Sequence, residues 1–495
     1  MSADVTRRAV NGRHSPAVRR LPILVAVVAA LVVGGIVDLV VSSTTAAPAA
    51  APVATAAPAS AQSSDWYCAG GSGTGAGPAT ATLFLVNATD RPVGATLIVS
   101  ASSGATASRT LTVPAFGQLT AVPSTLVQGP WLGSRIAVDG GGVTVSQAVH
   151  GPQGWSQAPC ASTTAPTWYF ASGSTATGNL LFVSVYNPAA SMAVVDLTFD
   201  TPGGVVAPQQ FQGLVLAPGA VTTAEVASFV QNQPWVSAVV QARAGQVVAD
   251  EVSERVGTVS GLSLRLGSPS PEHQWYLART VDVTGGRSAL AVFNPTATTE
   301  KVQVAIRLPS GPVAPVEHEV PPATTWTLVT SGLIRVPPNV DYATTVTALS
   351  GQGVVVDRVA AAAAVASPPQ WGAVAATPSG WTTAGAGRWL LANPAVATPP
   401  VAGAAPFALD LYNPTRSQVT VTVGQLEGGS VRPLAGVPAL RIPAGLFTVV
   451  EAPALAHLGA NPLEVTSTGP LSATLDATPA GMPGVVALPA IPLGS

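Results

Sequence analysis

Charge is what this chain has least of. Only 9% of its 495 residues are Asp, Glu, Lys or Arg, against about a quarter in ordinary globular proteins. Lys301 is the single lysine, five arginines fall in the first twenty residues, and the remainder is mildly acidic. No nucleic-acid partner is expected, because neutralising phosphates needs a basic face. Two cysteines, Cys68 and Cys160, exclude a Cys-x-x-Cys redox or zinc site by count and spacing. The five histidines are His14, His150, His273, His318 and His457. None has the H-x-x-x-H or H-E-x-x-H spacing, and metal ligation needs several converging donors. No metal or cofactor is therefore expected. His318, between Glu317 and Glu319, reads as a solvated strand edge. A nucleophile elbow G-x-S-x-G is absent. The Gly-Ser-Gly of Gly71–Gly73 reads as part of a flexible turn. No convincing strand-to-helix switch exists to cradle a phosphate. The runs Ala360–Ala364 and Ala452–Ala460 are the best short-helix candidates, both in loops between strands.

What the chain has instead is glycine, proline and valine. Gly (49) and Pro (46) are dispersed between short valine-rich runs, as in an all-β protein with many turns. A pattern of Trp, Gly-rich turn, apolar strand and Asn recurs four times. It starts at Trp66, Trp168, Trp275 and Trp389 and reaches Asn87, Asn187, Asn294 and Asn413. A second anchor follows each Asn, at Gln147, Glu251, Arg358 and Ala477, with offsets of 60, 64, 64 and 64 residues. One four-residue deletion in the first copy accounts for the short offset. Each copy holds five to seven strand candidates in about 100 residues, the signature of an immunoglobulin-like β-sandwich. The tryptophans read as core or edge anchors. Each Asn reads as a turn former whose side chain accepts a local hydrogen bond.

The expected organisation is a cytoplasmic tail (1–20), a transmembrane anchor (21–42), an Ala/Pro/Ser/Thr linker (43–65) and four β-sandwich repeats, 66–160, 168–267, 275–378 and 388–495. Leu21–Val41 is apolar over about the span of a bilayer core. Its basic flank predicts the N-terminus inside and the bulk extracellular. Cleavage as a signal peptide near Ala47–Ala49, giving a secreted protein, is the rival reading. Short linkers rich in proline or small residues predict a semi-rigid row of domains. Cys68 and Cys160 flank the first repeat on the translocated side, where disulfides persist. A bridge would staple its first strand to its last; the other reading is two buried thiols.

The runs Trp168-Tyr-Phe-Ala-Ser-Gly-Ser, FVSVYNP and VVADEVSER resemble the WYFAEG, LxNP and VVxER motifs of a secreted or membrane-anchored family. That family is a domain of unknown function from high-GC Gram-positive bacteria. The resemblance covers residues 66 to about 490 and implies a β-repeat fold without implying chemistry. Ser172 replaces the Glu of the motif, and the fourth copy lacks the closing Arg. The most charged cluster, Asp250, Glu251, Glu254 and Arg255, offers paired carboxylates for glycosidic chemistry. Its counterparts in the other copies differ, so structural ion pairing is expected and the chain is read as no enzyme. Two functions remain. One is a membrane-tethered envelope scaffold contacting other envelope proteins. The other is a module for wall glycan or protein ligands, using loop aromatics such as Trp155, Trp371 and Trp381.

Overall fold

The computed structural model describes residues 54–74, 78–256, 260–282, 286–362, 370–378, 387–393, 407–451, 455, 461–477 and 486–494. The tail with His14, the anchor, the start of the linker, Trp381, His457 and most of the run Ala452–Ala460 lie outside these residues. So does the side chain of Trp371. Among the described residues no helix is long and apolar enough to cross a membrane.

The described chain is all-β, and its eight sheets repeat one plan four times. In the first repeat one sheet runs Ser64–Cys68, Leu132–Val138, Val93–Ala101, Thr106–Val113. The other runs Gly117–Ala121, Thr80–Asn87, Val143–Gly151, Gly154–Pro159. We call these the opening sheet and the Asn sheet. Trp66, Leu97 and Ile136 from the first share one core with Leu83, Leu85 and Val145 from the second. The two-sheet layout matches the expectation; the connectivity does not match an immunoglobulin domain. There the first strand joins the sheet of the second and fifth. Here it pairs with the sixth, in the sheet of the third and fourth. The run from Ala360 that suggested a short helix is the end of strand Val355–Ala362.

The repeated Asn side chains are buried staples. The Asn294 amide donates to the carbonyls of Thr298 (2.8 Å) and Val320 (2.9 Å), while its oxygen accepts the Thr296 N–H (3.0 Å). Asn413 does the same with Ser417, Ile442 and Thr415. Asn87 and Asn187 repeat the scheme. The expected local turn bond is present, and the amide adds a tie to the far edge of the opening sheet. All four opening tryptophans are buried. The indoles of Trp168 and Trp275 donate to Val247 and Val354 carbonyls, at 2.8 and 2.7 Å.

The repeats are not a row. The last strand of each Asn sheet meets its counterpart in the next repeat, and the series closes. Gly154–Pro159 contacts Gly261–Leu266, which contacts Gln370–Ala375, which contacts Val486–Pro489, which returns to Gly154–Pro159. Residues 52–495 accordingly form one compact unit. A head-to-tail interface that rotates by a closing angle makes a ring, whereas a row would leave both end faces bare. The end of the presumed linker helps close it. Ala54 and Ala56 are buried, and Ala56 bridges to Leu493 of the fourth repeat. The Ala57 carbonyl accepts the Gly142 N–H of the first at 2.9 Å.

Candidate functional site

A set of buried ionisable groups lies at the junctions of the ring. Adjacent residues of a strand face opposite sides, so Asp250 and Glu251 part company. Glu251 points inward, opposite Arg265 on the neighbouring strand. Asp250 points to the first repeat, where its Oδ2 accepts the Ala69 N–H and the Gln147 amide, each at 2.6 Å. Burial pushes the Asp250 carboxyl up to about 7, against those donors, which act the other way. Among the described residues its Oδ1 has no hydrogen-bond partner. The backbone comes this close because residue 70 is glycine: a Cβ there would sit 2.5 Å from Leu264 Cδ1. Gly70, Gly71 and Gly73 are buried, not in the open turn expected: Gly70 packs the junction, while Gly71 and Gly73 pack against Ala81 and Leu132 of their own repeat.

The second junction uses the same position with charges added. Asp357 Oδ2 accepts the N–H of Ser172 (3.0 Å) and of Ala171 (3.2 Å), the Ser172 hydroxyl (3.0 Å) and Arg265 Nη1 (2.7 Å). Arg265 also pairs with Glu251 and donates to the Ser172 carbonyl. Burial lowers the guanidinium pKa, and Asp357 opposes that. At the third junction Arg358 approaches Asp476 and Arg279 approaches Asp410, both at 3.7 Å. Arg279 also binds Asp341 at 2.9 Å. Burial and then Asp476 push the Asp410 carboxyl well up, opposed by Arg279 and Arg358. At the fourth, Gln118 and the Asn393 backbone exchange two hydrogen bonds of 2.8 and 3.0 Å.

Asp250, Asp357 and Asp476 each stand one residue before the second sequence anchor. Ser146 holds that place in the first repeat. The recurring acid was missed because the anchors compared were its divergent neighbours; shifting the comparison by one residue finds it. At the first two junctions this carboxylate accepts the N–H groups that end the preceding repeat's opening strand, a charge-assisted cap. Apolar contacts accompany it. The Trp131 and Phe182 rings lie 5.2 Å apart at the first junction, and those of Tyr276 and Tyr412 lie 6.0 Å apart at the third. Trp155, expected on a loop, sits on strand Gly154–Pro159 and is buried against Val486 of the fourth repeat. Cys68 and Cys160 are bonded, with Cα atoms 4.9 Å apart. His318 is on an exposed edge strand as expected, stacked on Trp326 at 4.5 Å. Among the described residues no group of three or more His, Cys, Asp or Glu is placed to hold a metal ion.

A domain described as a family of unknown function (DUF5719) matches residues 132–325. The match starts inside the first repeat and ends inside the third, spanning the first two junctions. No curated protein matches the chain. Among solved structures, Thermotoga maritima 1070 is 16% identical, with 21% of this chain and 93% of that one covered at a TM-score of 0.19. The Anabaena sensory rhodopsin transducer is 19% identical, with 17% and 94% covered at 0.16. A tetra-tandem repeat from the extending region of a large adhesion protein is 12% identical, with 88% and 99% covered at 0.11. Scores this low carry no argument.

Proposed function

We propose that this chain is a non-enzymatic envelope scaffold of high-GC Gram-positive bacteria. Residues 21–42 tether it to the cell membrane, and a ring of four two-sheet β-sandwiches stands outside the cell. One observation carries the reading. The buried ionisable residues Asp250, Glu251, Arg265 and Asp357 bind one another and backbone groups across repeat junctions. Groups that would otherwise suggest acid–base work are engaged in holding sandwiches together. A rigid ring offers partner proteins a fixed surface at low cost in binding entropy.

The test has two arms. Protease added to spheroplasts should degrade everything beyond the anchor and spare a short N-terminal fragment. Survival of the bulk alongside a cytosolic control would reverse the topology. In the second arm the full chain is sedimented with purified peptidoglycan and arabinogalactan. The scaffold reading expects no saturable binding; saturable binding to either polymer would replace it with a wall-glycan module.

A further inference from the structure

The outer edge of the opening sheet sets the first repeat apart. In the other three repeats that edge is interrupted. Gly204–Val206 and Leu214–Leu216 flank Pro208 and a 3-10 turn at Gln209–Phe211. Gly311–Pro312 and Val316–Val320 flank Pro315, and Ser430–Pro433 and Leu440–Ile442 flank Pro438. Proline and broken strands are how sheets blunt an edge that would otherwise pair with another chain. In the first repeat the same edge is one unbroken strand, Thr106–Val113, without proline. It runs in register against Val93–Ser100.

The free side of that strand is set by alternation. The Ala101 N–H bonds to the Ala105 carbonyl at 2.8 Å. In an antiparallel ladder, bonded pairs recur every second residue. Ala107, Arg109, Leu111 and Val113 therefore bond inward to Val99, Leu97, Ala95 and Val93. The N–H and C=O groups of Thr106, Ser108, Thr110 and Thr112 point outward, and these four residues are exposed. An exposed ladder of four residues has unsatisfied backbone groups in the geometry a new strand needs.

We infer that this edge pairs with the same edge of a second copy of this chain. An antiparallel edge is complementary to itself under a two-fold axis. An axis through Thr110 sets Thr110 against Thr110 of the second copy, Ser108 against Thr112, and Arg109 against Leu111. Axes through Arg109 and Thr110 are the two nearest the middle of the strand, and the charge on Arg109 favours the second. An axis through Arg109 would set the two guanidinium groups directly opposite, which costs free energy. With the axis at Thr110, each Arg109 stem lies along the second copy's Leu111. The outward groups Thr106 to Thr112 are then almost all paired, and Pro114, which has no N–H, closes the ladder.

The register is testable by charge. The full chain should sediment as a dimer. Thr110→Lys and Thr110→Glu should each sediment as a monomer with an unchanged melting temperature, because Thr110 is exposed. An equimolar mixture of the two should recover the dimer at low salt and lose it at high salt. Failure of the mixture to recover would overturn the inference, as would a monomeric wild-type chain. Cross-linking gives an independent reading in cells. With Cys68 and Cys160 already bonded, Thr110→Cys should form a covalent dimer with a short bismaleimide, which adds one thiol at each end, and Thr106→Cys should not. Equal cross-linking at both positions, or at neither, would also overturn it.

Discussion

The first and second junctions of the ring solve one problem with different chemistry. Each must satisfy the backbone N–H groups left where an opening strand ends, and each presents an Asp from the next repeat. At the first, the described partners of Asp250 are neutral, the Ala69 N–H and the Gln147 amide. At the second, Asp357 is met by a buried guanidinium that must also answer Glu251. A neutral junction tolerates removal of a partner as the loss of one hydrogen bond. An ionic junction does not, since each remaining charge was buried on the strength of the other. Charge is scarce in this chain, and at the second junction it is concentrated where removal costs most.

The largest expected effect follows directly. Arg265→Met leaves Glu251 and Asp357 buried without a cation. Breaking such a pair from one side costs about 3–5 kcal/mol. The denaturation midpoint of the full chain should drop accordingly. Gln147→Met at the first junction should cost only about 1–2 kcal/mol. Equal losses at both junctions would erase the distinction between them.

Next in size is the staple beside the first junction. Cys68 precedes Ala69, whose N–H caps Asp250. Cys68→Ser with Cys160→Ser should lower stability by about 2–4 kcal/mol. Hydrogen exchange at Ala69 and Gly70 should accelerate, while that at Ala171 and Ser172 should hold. A uniform rise across both junctions would mean that the disulfide supports the whole ring and not this corner.

Much of the fold was legible because its markers act locally. The Trp and Asn of each repeat sit where a core ring and a turn former are needed, so their spacing survives divergence. The deletion was placed less well. The tie from each Asn to the edge strand spans 26, 29, 26 and 29 residues. A left-handed turn follows at Phe116, Gly219, Ala323 and Gly445. Copies one and three therefore match through that turn, and copies two and four carry three extra residues before it. The missing four residues of copy one are a total made in different places. Ring closure was not legible at all. It depends on Trp155, Gly70 and the end of the linker meeting residues far away in sequence, and composition carries no sign of that. The loop expected around Trp155 failed for the same reason: a strand buried on both faces in a junction has no polar alternation to announce it.

Steric change should separate the junctions more gently. A Cβ on Gly133 of the first repeat would sit 2.5 Å from Cδ2 of the buried Tyr186 ring in the second. Gly133→Ala should cost about 1–3 kcal/mol, in the range of overpacking. Tyr186→Leu in the same chain should restore part of that loss. Additive losses would show that the ring and the backbone are not in contact.

The last effect is read as a slope against pH, and it isolates the carboxyl of the first junction. Burial raises Asp250 to about 7 in the folded chain, while an unfolded Asp titrates near 4. Between those values the folded state binds more protons than the unfolded state, so stability falls as pH rises. The contribution is complete below about pH 4 and lost by about pH 7, with a slope of at most about 1.4 kcal/mol per pH unit. Asp250→Asn keeps an acceptor for the Ala69 N–H but cannot ionise. Its stability between pH 4 and 7 should be flatter than wild type, and the two curves should converge toward the acid end. A parallel pair of curves would mean that Asp250 is ionised throughout, with Gln147 and the Ala69 N–H outweighing burial.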